Sequence, residues 1–477
     1  MKLIMRNQYL AYFKLGILSV GIAVFVSACG VVQPYSRPIN LPLNGLYRDN
    51  ASGDTIHSLA NINWHNFYND PDLQKLITAA LESNSDIRLA LNKLNQADQY
   101  VQQSKAAFLP TLSANANGSL SRVTIYGPST PPTSQPYQDW RLYATASWEA
   151  DIWGKLRSAK KAQLATYLQQ QATVALVKTE LVANIASAYY QLIMLDKQKA
   201  ITNKNIDSYA KYLETVKNLK KAAQVNEVAV LQAKAQLASA KAYLPQIDAS
   251  IATNENYICM LLGRTPSPIV RSTDIDLILF HTEELNAGIP VQLLNNRPDV
   301  QAAEYALRAS HEQFNIAKAA MYPQLTLGGD IGTESKSITN WFNLPGSLLW
   351  NTIAGLTQPI LTGRTLKTQK EIARLQEDAA LISFRQSLLT AGSEVSNALA
   401  NIHFISKQAE YQKEQVDELA KAYEYSQELL VNGYATYLDV LSAQNNVLST
   451  ELALYNTYNN VIQQKIILYR ALGGGWK

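Results

Sequence analysis

The stretch Trp140–Gly154, WRLYATASWEADIWG, decides what kind of fold this chain has. Its even positions from Trp140 to Ile152 are all apolar or small, and the positions between them are nearly all polar. Because successive side chains of a strand point to opposite faces, this pattern predicts a strand with one oily and one polar face. It is longer than the usual strand of about 5–6 residues, and about 9–11 tilted residues suffice to cross a bilayer. We therefore expect a membrane-spanning strand that ends at Gly154, the alternative being a half-buried strand of a soluble sheet.

The first 28 residues have the features of a secretory signal. A basic start precedes the apolar run Leu15–Val26, and the small residues Ser27 and Ala28 lead to Cys29. This arrangement resembles a bacterial lipobox, so we expect a signal peptide over 1–28, acylation of Cys29 and an extended lipidated tether over 29–63. Gly30 follows, not the Asp that resembles an inner-membrane retention signal, which favours the outer membrane. An ordinary signal with a coincidental cysteine and an uncleaved anchor are the alternatives.

Composition excludes several classes of protein. The chain has 42 Lys and Arg against 38 Asp and Glu, and three of the basic residues lie in the predicted signal, so the remainder is close to neutral and a nucleic-acid partner is not expected. After the signal no apolar run reaches the roughly 18 residues of a membrane helix. A membrane protein of this kind must be a barrel, a lipid-anchored protein, or both. Cys259, the other cysteine, lies in an apolar stretch and is expected to be a small buried residue.

The chain between Trp64 and Trp476 contains the same sequence pattern twice. Short matches recur in the same order about 210 positions apart, which indicates an internal duplication. We expect repeats over 64–284 and 285–477. The matching pairs are Ala106–Pro110 with Ala319–Pro323, Trp153-Gly154-Lys155 with Thr362-Gly363-Arg364, Leu231-Gln232-Ala233 with Leu441-Ser442-Ala443, and Leu262-Gly263 with Leu472-Gly473.

Each repeat is predicted to have the same order of elements. A helix (86–108 or 299–321) is followed by a strand, a polar loop, a second strand and a long helical hairpin. We expect strands at 111–122, 139–153, 324–332 and 348–361, hairpins over 155–263 and 364–472, strand-to-helix turns at Gly154 and Gly363, a hairpin turn at Gly433 and a kink at Pro245. Apolar residues every seven positions along the long helices predict coiled-coil packing. The fold class is mainly α with a membrane β region, and because about 8 strands make the smallest barrel, four per chain require at least two chains to pool them.

Five stretches resemble the TolC-like outer-membrane efflux family, in particular its lipoprotein branch serving resistance-nodulation-division pumps. They are Trp148–Lys155, Arg297–Glu304, Gln358-Pro359-Ile360, Asp439–Gln444 and Ala471–Trp476. The resemblance implies a homotrimer in the outer membrane of a Gram-negative bacterium, with a 12-stranded barrel, a periplasmic α-barrel and no cofactor. It also implies a periplasmic adaptor and an inner-membrane pump as partners. Thr362, where many relatives have a second Gly, predicts a local difference in that turn.

The resemblance also suggests where the channel closes. Relatives close their periplasmic tip with side chains of the helix before the second hairpin turn, which here offers Tyr423, Glu424, Gln427 and Glu428 as gate candidates. Gln427 stands where relatives often have Asp, so the family's acidic ring is missing or shifted. Glu424 and Glu428 lie on one helical face, and the alternative is that both are solvated outside the pore.

Other functions are less well supported by the sequence. The five His residues are scattered without metal-ligand spacing, and no Gly-rich phosphate loop follows a strand, so neither an enzyme nor a metal site is expected. A lipid-anchored coiled-coil scaffold would explain the seven-residue repeats but not the two-faced strands. A channel for type I protein secretion is the nearest rival, since the same fold can serve it. The sequence does not identify the transported compound.

Overall fold

The computed structural model describes residues 30–43, 45–47, 59, 62–127, 130–272 and 292–476, with only the backbone for 123–135. In chain order the helices and strands are α1 (Trp64–Phe67), α2 (Pro71–Ser83), α3 (Ser85–Ala106), β1 (Thr111–Gly127), β2 (Thr130–Ala150), α4 (Lys155–Lys221), α5 (Glu227–Leu261), α6 (Leu293–Asn296), α7 (Pro298–Ala319), β3 (Gln324–Ser335), β4 (Leu348–Thr357), α8 (Thr365–Val431) and α9 (Tyr437–Ala471). Among the described residues, none of the helices has the length and hydropathy of a membrane-spanning segment.

The four strands form one antiparallel sheet in the order β1-β2-β3-β4. Because of the register, the alternation of apolar and polar positions in β2 continues across all four strands. Ala144 lies between Ala114 and Ile331, and Ile331 pairs in turn with Trp350. One position along, Thr145 lies between Ser113 and Asp330. The sheet therefore has one mainly apolar face and one mainly polar face.

The strand ends differ from those predicted. The polar loop expected between the strands at 111–122 and 139–153 is mostly strand, since β1 runs to Gly127 and β2 begins at Thr130. Pro residues are tolerated there because β3 pairs with β2 only from Trp140 onward, so this part of β2 is an edge. β3 extends to Ser335 rather than 332.

Both returning strands stop earlier than predicted, at Ala150 rather than 153 and at Thr357 rather than 361. In the first, the strand ends before Asp151. The Asp151 carboxylate accepts hydrogen bonds from the backbone N–H groups of Leu156 and Arg157, at 2.9 and 3.0 Å, so it caps α4. In the second, Pro359 lacks the N–H group that a strand ladder needs.

The long helices are continuous. α4 and α8 each contain 67 residues, and at about 1.5 Å rise per residue such a helix is on the order of 100 Å long. α5 continues through Pro245 as a single helix, and the kink expected there stays a prediction. A Pro removes only one of the many hydrogen bonds of a 35-residue helix.

The duplication is visible in matching contacts. Asn84 Nδ2 donates to the carbonyl of Leu261 at 2.8 Å, and Arg297 Nη1 donates to the carbonyl of Ala471 at 2.9 Å. Both donors precede the helix that leads to the sheet, and both acceptors lie in the last turn of a return helix. Each repeat therefore closes on itself by the same contact, made by a different side chain.

The described residues form two compact units, and each takes residues from both repeats. One contains the sheet and comprises Gln96–Tyr167 and Tyr305–Ile382 with the described residues up to Ile39; the other comprises the described parts of Asn40–Asn95, Leu168–Glu304 and Ser383–Lys477. The second has a core rich in tyrosine, in which Asp70 accepts a hydrogen bond of 2.7 Å from the Tyr189 hydroxyl. The repeat boundaries at 64–284 and 285–477 stay a prediction.

Candidate functional site

The sheet is the first candidate functional surface. Its apolar face is formed by even positions of β1, β2 and β4 and odd positions of β3. Many of these side chains are exposed in the single chain, among them Leu112, Leu120, Leu142, Leu327, Ile331, Trp350 and Leu356. A continuous apolar face of this kind is typical of strands in contact with lipid.

The polar face of the sheet carries paired charges. Arg141 in β2 donates through Nη2 to Glu334 in β3 at 2.9 Å, and its Nε lies 3.0 Å from Asp139. Lys155, at the start of α4, lies 3.0 Å from Glu149 at the end of β2. These pairs place charge on the face opposite the apolar one, as the wall of a water-filled pore requires.

The strand-to-helix turns contain the two predicted glycines. Gly154 and Gly363 adopt positive φ angles of 81° and 56°, which an L side chain rarely adopts. A Cβ on Gly154 would also lie 3.1 Å from Val32, whereas one on Gly363 would meet no atom within 4 Å. The first turn is therefore restricted both by its backbone and by a neighbouring segment.

The two helical hairpins end in related turns. Gly433 follows α8 with φ +78°, and Ala223, 210 positions earlier, follows α4 with φ +59°. Thr436 and Asp439 then cap α9 reciprocally, since the Thr436 hydroxyl accepts from the Asp439 N–H and Asp439 accepts from the Thr436 N–H. The sequence Thr-x-x-Asp before α9 is a signal that could have located this cap.

The gate candidates lie in the last turns of α8. Tyr423 is half-buried against a cluster that includes Tyr212 and Val440, and burial raises the pKa of its hydroxyl. Gln427 Nε2 donates to the Tyr423 hydroxyl at 2.6 Å, so the structure brings these two together. Glu424, Gln427 and Glu428 are exposed in the single chain. A role for these four residues in closing a pore stays a prediction.

Sequence reasoning missed the hydrogen bonds that join the two hairpins. The Tyr212 hydroxyl in α4 donates to the carbonyl of Tyr437 in α9 at 2.6 Å, and the Tyr209 hydroxyl donates to Asn445 Oδ1 at 2.5 Å. Burial raises the pKa of both tyrosines, so both stay neutral donors near pH 7. No local sequence signal distinguishes these tyrosines from ordinary packing residues.

Comparison with known proteins identifies this architecture. The family model described as "Outer membrane efflux protein" matches residues 76–264 and 289–474, which is well over half of the chain. The chain belongs to the outer membrane efflux protein family. The two matched segments fall one in each predicted repeat, in agreement with the duplication.

Several named relatives are similar over nearly their whole length. "Probable outer membrane lipoprotein SilC" of Salmonella typhimurium is 27% identical over 97% of this chain and 99% of its own. "Toluene efflux pump outer membrane protein TtgC" of Pseudomonas putida is 26% identical over 96% of each chain. "Cation efflux system protein CusC" of Escherichia coli O6:H1 is 26% identical over 96% of this chain and 98% of its own.

Solved structures have the same fold. The open state of the MtrE outer membrane channel of Neisseria gonorrhoeae superimposes with a TM-score of 0.82 and 27% identity, over 94% of this chain and 99% of that one. The predicted fold class, mainly α with a membrane β region and an internal duplication, is confirmed. The protein is therefore an outer-membrane channel component of an efflux system, and its relatives are channel proteins rather than enzymes.

Proposed function

We propose that three copies of this chain form one channel, which receives cargo through a periplasmic adaptor from an inner-membrane pump of the resistance-nodulation-division type. The observation that carries this proposal is the four-stranded sheet, with one apolar face and two edge strands. The proposed assembly is a 12-stranded barrel in the outer membrane, continued by the long helical hairpins in the periplasm.

The edges of the sheet are the reason for assembly. Within the described residues, β1 and β4 each pair with one neighbour and keep one open edge. An open edge has unpaired N–H and C=O groups, which cannot face lipid without a large free-energy cost. Four strands cannot close on themselves, because the smallest barrels have about 8. Pairing β1 of one chain with β4 of the next removes every edge, and the resemblance to TolC-like channels favours three chains.

Gel migration with and without heating tests the barrel. We expect a band of the trimer in SDS that converts to the monomer on boiling. Gly332→Val supplies a variant that breaks the sheet, because a Cβ there would overlap the Leu142 carbonyl and Tyr143. Gly355→Ala is the matched mild change, since its Cβ would lie 3.3 Å from the Thr326 hydroxyl. A wild-type band with the same mobility before and after boiling would contradict the barrel and favour a lipid-anchored scaffold.

The hairpin ends support an adaptor as partner. Val228 and Leu231 at the first end, and Val431, Tyr434 and Leu438 at the second, are all about half or more exposed. Apolar side chains clustered at a tip are typical of a protein contact. A photo-crosslinking amino acid at Tyr434 should capture the adaptor in cells. The same group at Tyr411, exposed on α8 away from the tip, is the matched control.

Similarity to known proteins does not identify the transported compound, since the relatives include a toluene pump component and a cation efflux component. We infer that the pump chooses the cargo and the channel passes it on. A deletion strain tested against a panel of drugs and metal ions should become sensitive to at least one of them. Loss of a secreted polypeptide with unchanged resistance would favour type I secretion instead.

Cys29 lies outside the described residues, and its acylation is part of this proposal. The lipobox-like Ser27-Ala28-Cys29 after an apolar run supports it. Mass spectrometry of the mature N-terminus should find an acylated Cys29. An unmodified chain that begins at another residue would overturn it.

A further inference from the structure

The segment directly behind Cys29 is held by its main chain against α7. The Gln33 N–H donates to Asn315 Oδ1 at 3.2 Å, and the Gln33 carbonyl accepts from Asn315 Nδ2 at 2.9 Å. The Asn315 amide thus pairs with the backbone of Gln33 as a neighbouring strand would. The Gln33 side chain is exposed, so the contact does not depend on it.

His311 completes the contact one helical turn away. Its Nε2 lies 2.9 Å from the same Gln33 carbonyl, and its Nδ1 lies 2.7 Å from the Glu377 carboxylate on α8. Both ring nitrogens face oxygen acceptors, so the imidazolium form donates to both and the neutral form to only one. The Tyr35 ring lies edge-on to His311, with centroids 5.8 Å apart.

The groove under this segment is built from buried polar groups. Asn315 and Glu312 are 1% and 2% exposed, and Asn315 Nδ2 also lies 3.3 Å from the Glu312 carboxylate. Lys161 on α4 lies 3.9 Å from the other Glu312 oxygen. Buried polar side chains are rarely held without a partner, and here the partner is the main chain of Gln33.

The duplication supplies an internal comparison. The positions of His311 and Asn315 correspond, 213 residues earlier, to Asp98 and Gln102 on α3. There Gln102 is exposed and donates only weakly to Asp98, at 3.4 Å. Likewise Val32 packs on Gly154, whereas Gly363 has an open neighbourhood. Both repeats have the same elements, but among the residues that the structure describes the groove for this segment occurs only in the second repeat, so the duplicated fold alone does not account for it.

We propose that the groove formed by His311, Glu312, Asn315 and Glu377 is a docking site for residues 30–35, which fixes where the lipid anchor enters the membrane. The inference about the lipid rests on the proposed acylation of Cys29; the docking does not. Gln33 is four positions after Cys29, so the chain allows Cys29 to lie no more than about 14 Å from Gln33. Val32 packs on the turn that follows β2, so the acyl chains are held at that end of the sheet. On this proposal, residues 30–35 of the expected tether form a fixed strap against α7.

Spin-label mobility on the full-length protein in lipid nanodiscs tests the docking. Ser36→Cys in a Cys259→Ala background leaves one free thiol, on an exposed residue of the strap. We expect an immobilised spectrum. Asn315→Leu removes both main-chain contacts of the amide and should lower the ratio of docked to free strap roughly tenfold or more. Gln33→Pro removes the same N–H from the strap side without disturbing the protein interior.

Two matched controls complete the experiment. Gln33→Ala keeps the backbone contact, and Gln102→Leu makes the same change in the other repeat; both should leave the spectrum immobile. A mobile strap in the parent protein, or an immobile one in both Asn315→Leu and Gln33→Pro, would overturn the docking site. Failure of acylation is detected separately, because an unacylated Cys29 would also be labelled and the mass spectrum would show a second labelled thiol.

Discussion

In each repeat one side chain bonds the end of the return helix, and of these two side chains Arg297 also pairs with carboxylates. Arg297 is 6% exposed, and its guanidinium donates to both oxygens of Asp299, at 2.9 and 2.6 Å, to Glu394 at 2.8 Å and to the Ala471 carbonyl. Burial alone would lower the pKa of Arg297, but Asp299 and Glu394 outweigh it and keep the pKa above its usual value. Arg297 therefore stays charged and joins α7, α8 and α9.

Arg297→Met should lower the free energy of unfolding by about 3 kcal/mol. Breaking a buried ion pair costs about 3–5 kcal/mol, and the lower end applies because both carboxylates retain some solvent. Arg374→Met is the control: its pairs with Glu371 and Asp378 are exposed, and water screens such pairs so that they contribute little to stability. Denaturation in detergent measures both variants. Equal effects would show that Arg297 does not hold the repeat closed.

Helix ends are decided by similarly local chemistry. Hydrogen bonds from the Thr436 hydroxyl and then its N–H lower the pKa of Asp439. A carboxylate whose pKa is lowered on folding stabilises the fold above its unfolded pKa of about 3.9, and this contribution is lost as the pH falls through the folded value.

We therefore expect the start of α9 to exchange its amide hydrogens faster below about pH 4 than at pH 7, after correction for intrinsic rates. Asp439→Asn should remove this difference. The exposed Asp417, far from any helix end, is the site for a control Asp→Asn change. The same pH dependence in Asp439→Asn would assign it to another group.

Within one element, strand β2, the two faces tolerate different side chains. Ala146 lies beside Leu112 and Gly329 on the apolar face, and Ser147 lies beside Thr111 and Gly328 on the polar face. We predict that even positions of Trp140–Ile152 face lipid and odd positions face the lumen.

Ala146→Arg should therefore reduce the yield of the heat-sensitive oligomer much more than Ser147→Arg. An Arg on the lipid face costs about 2–4 kcal/mol near the midplane of the bilayer and far less on the lumen side. The two substitutions differ by one position, so they control for each other. Equal tolerance would show that β2 does not cross lipid in this orientation.

At the scale of the whole molecule, function depends on what three copies place around one axis. A carboxylate that faces this axis appears three times, and such a ring attracts cations and repels anions. Glu424 and Glu428 share one exposed face of α8 near its end. Tyr423 is the weaker gate candidate, because it packs within the chain.

We predict that Glu424→Ala with Glu428→Ala raises the conductance in planar bilayers and weakens cation selectivity. Glu410→Ala with Glu414→Ala, an exposed pair with the same spacing farther from the hairpin turn, is the matched control. Unchanged conductance and ion preference in the first double variant would place both residues outside the pore.

Features that depend on a local pattern can be predicted from the chain before it folds. The alternation in Trp140–Ile152, the offset of about 210 residues and the uninterrupted helical stretches after Gly154 and Gly363 each lie within a short window or recur along the chain. Strand faces and helix lengths follow from the period of the backbone, which is the same in any context.

Which distant groups meet depends on the tertiary fold. Gln33 and His311 are 278 positions apart, and Tyr212 and Tyr437 are 225 apart. The extension of β2 through its Pro-rich start likewise depends on β1 as a partner across the sheet. Such contacts form only after chain folding brings the elements together, and no repeating pattern in the sequence records which distant residues meet. The contacts of Gln33 with His311 and Asn315 were therefore found in the structure, whereas the channel fold was already evident in the sequence.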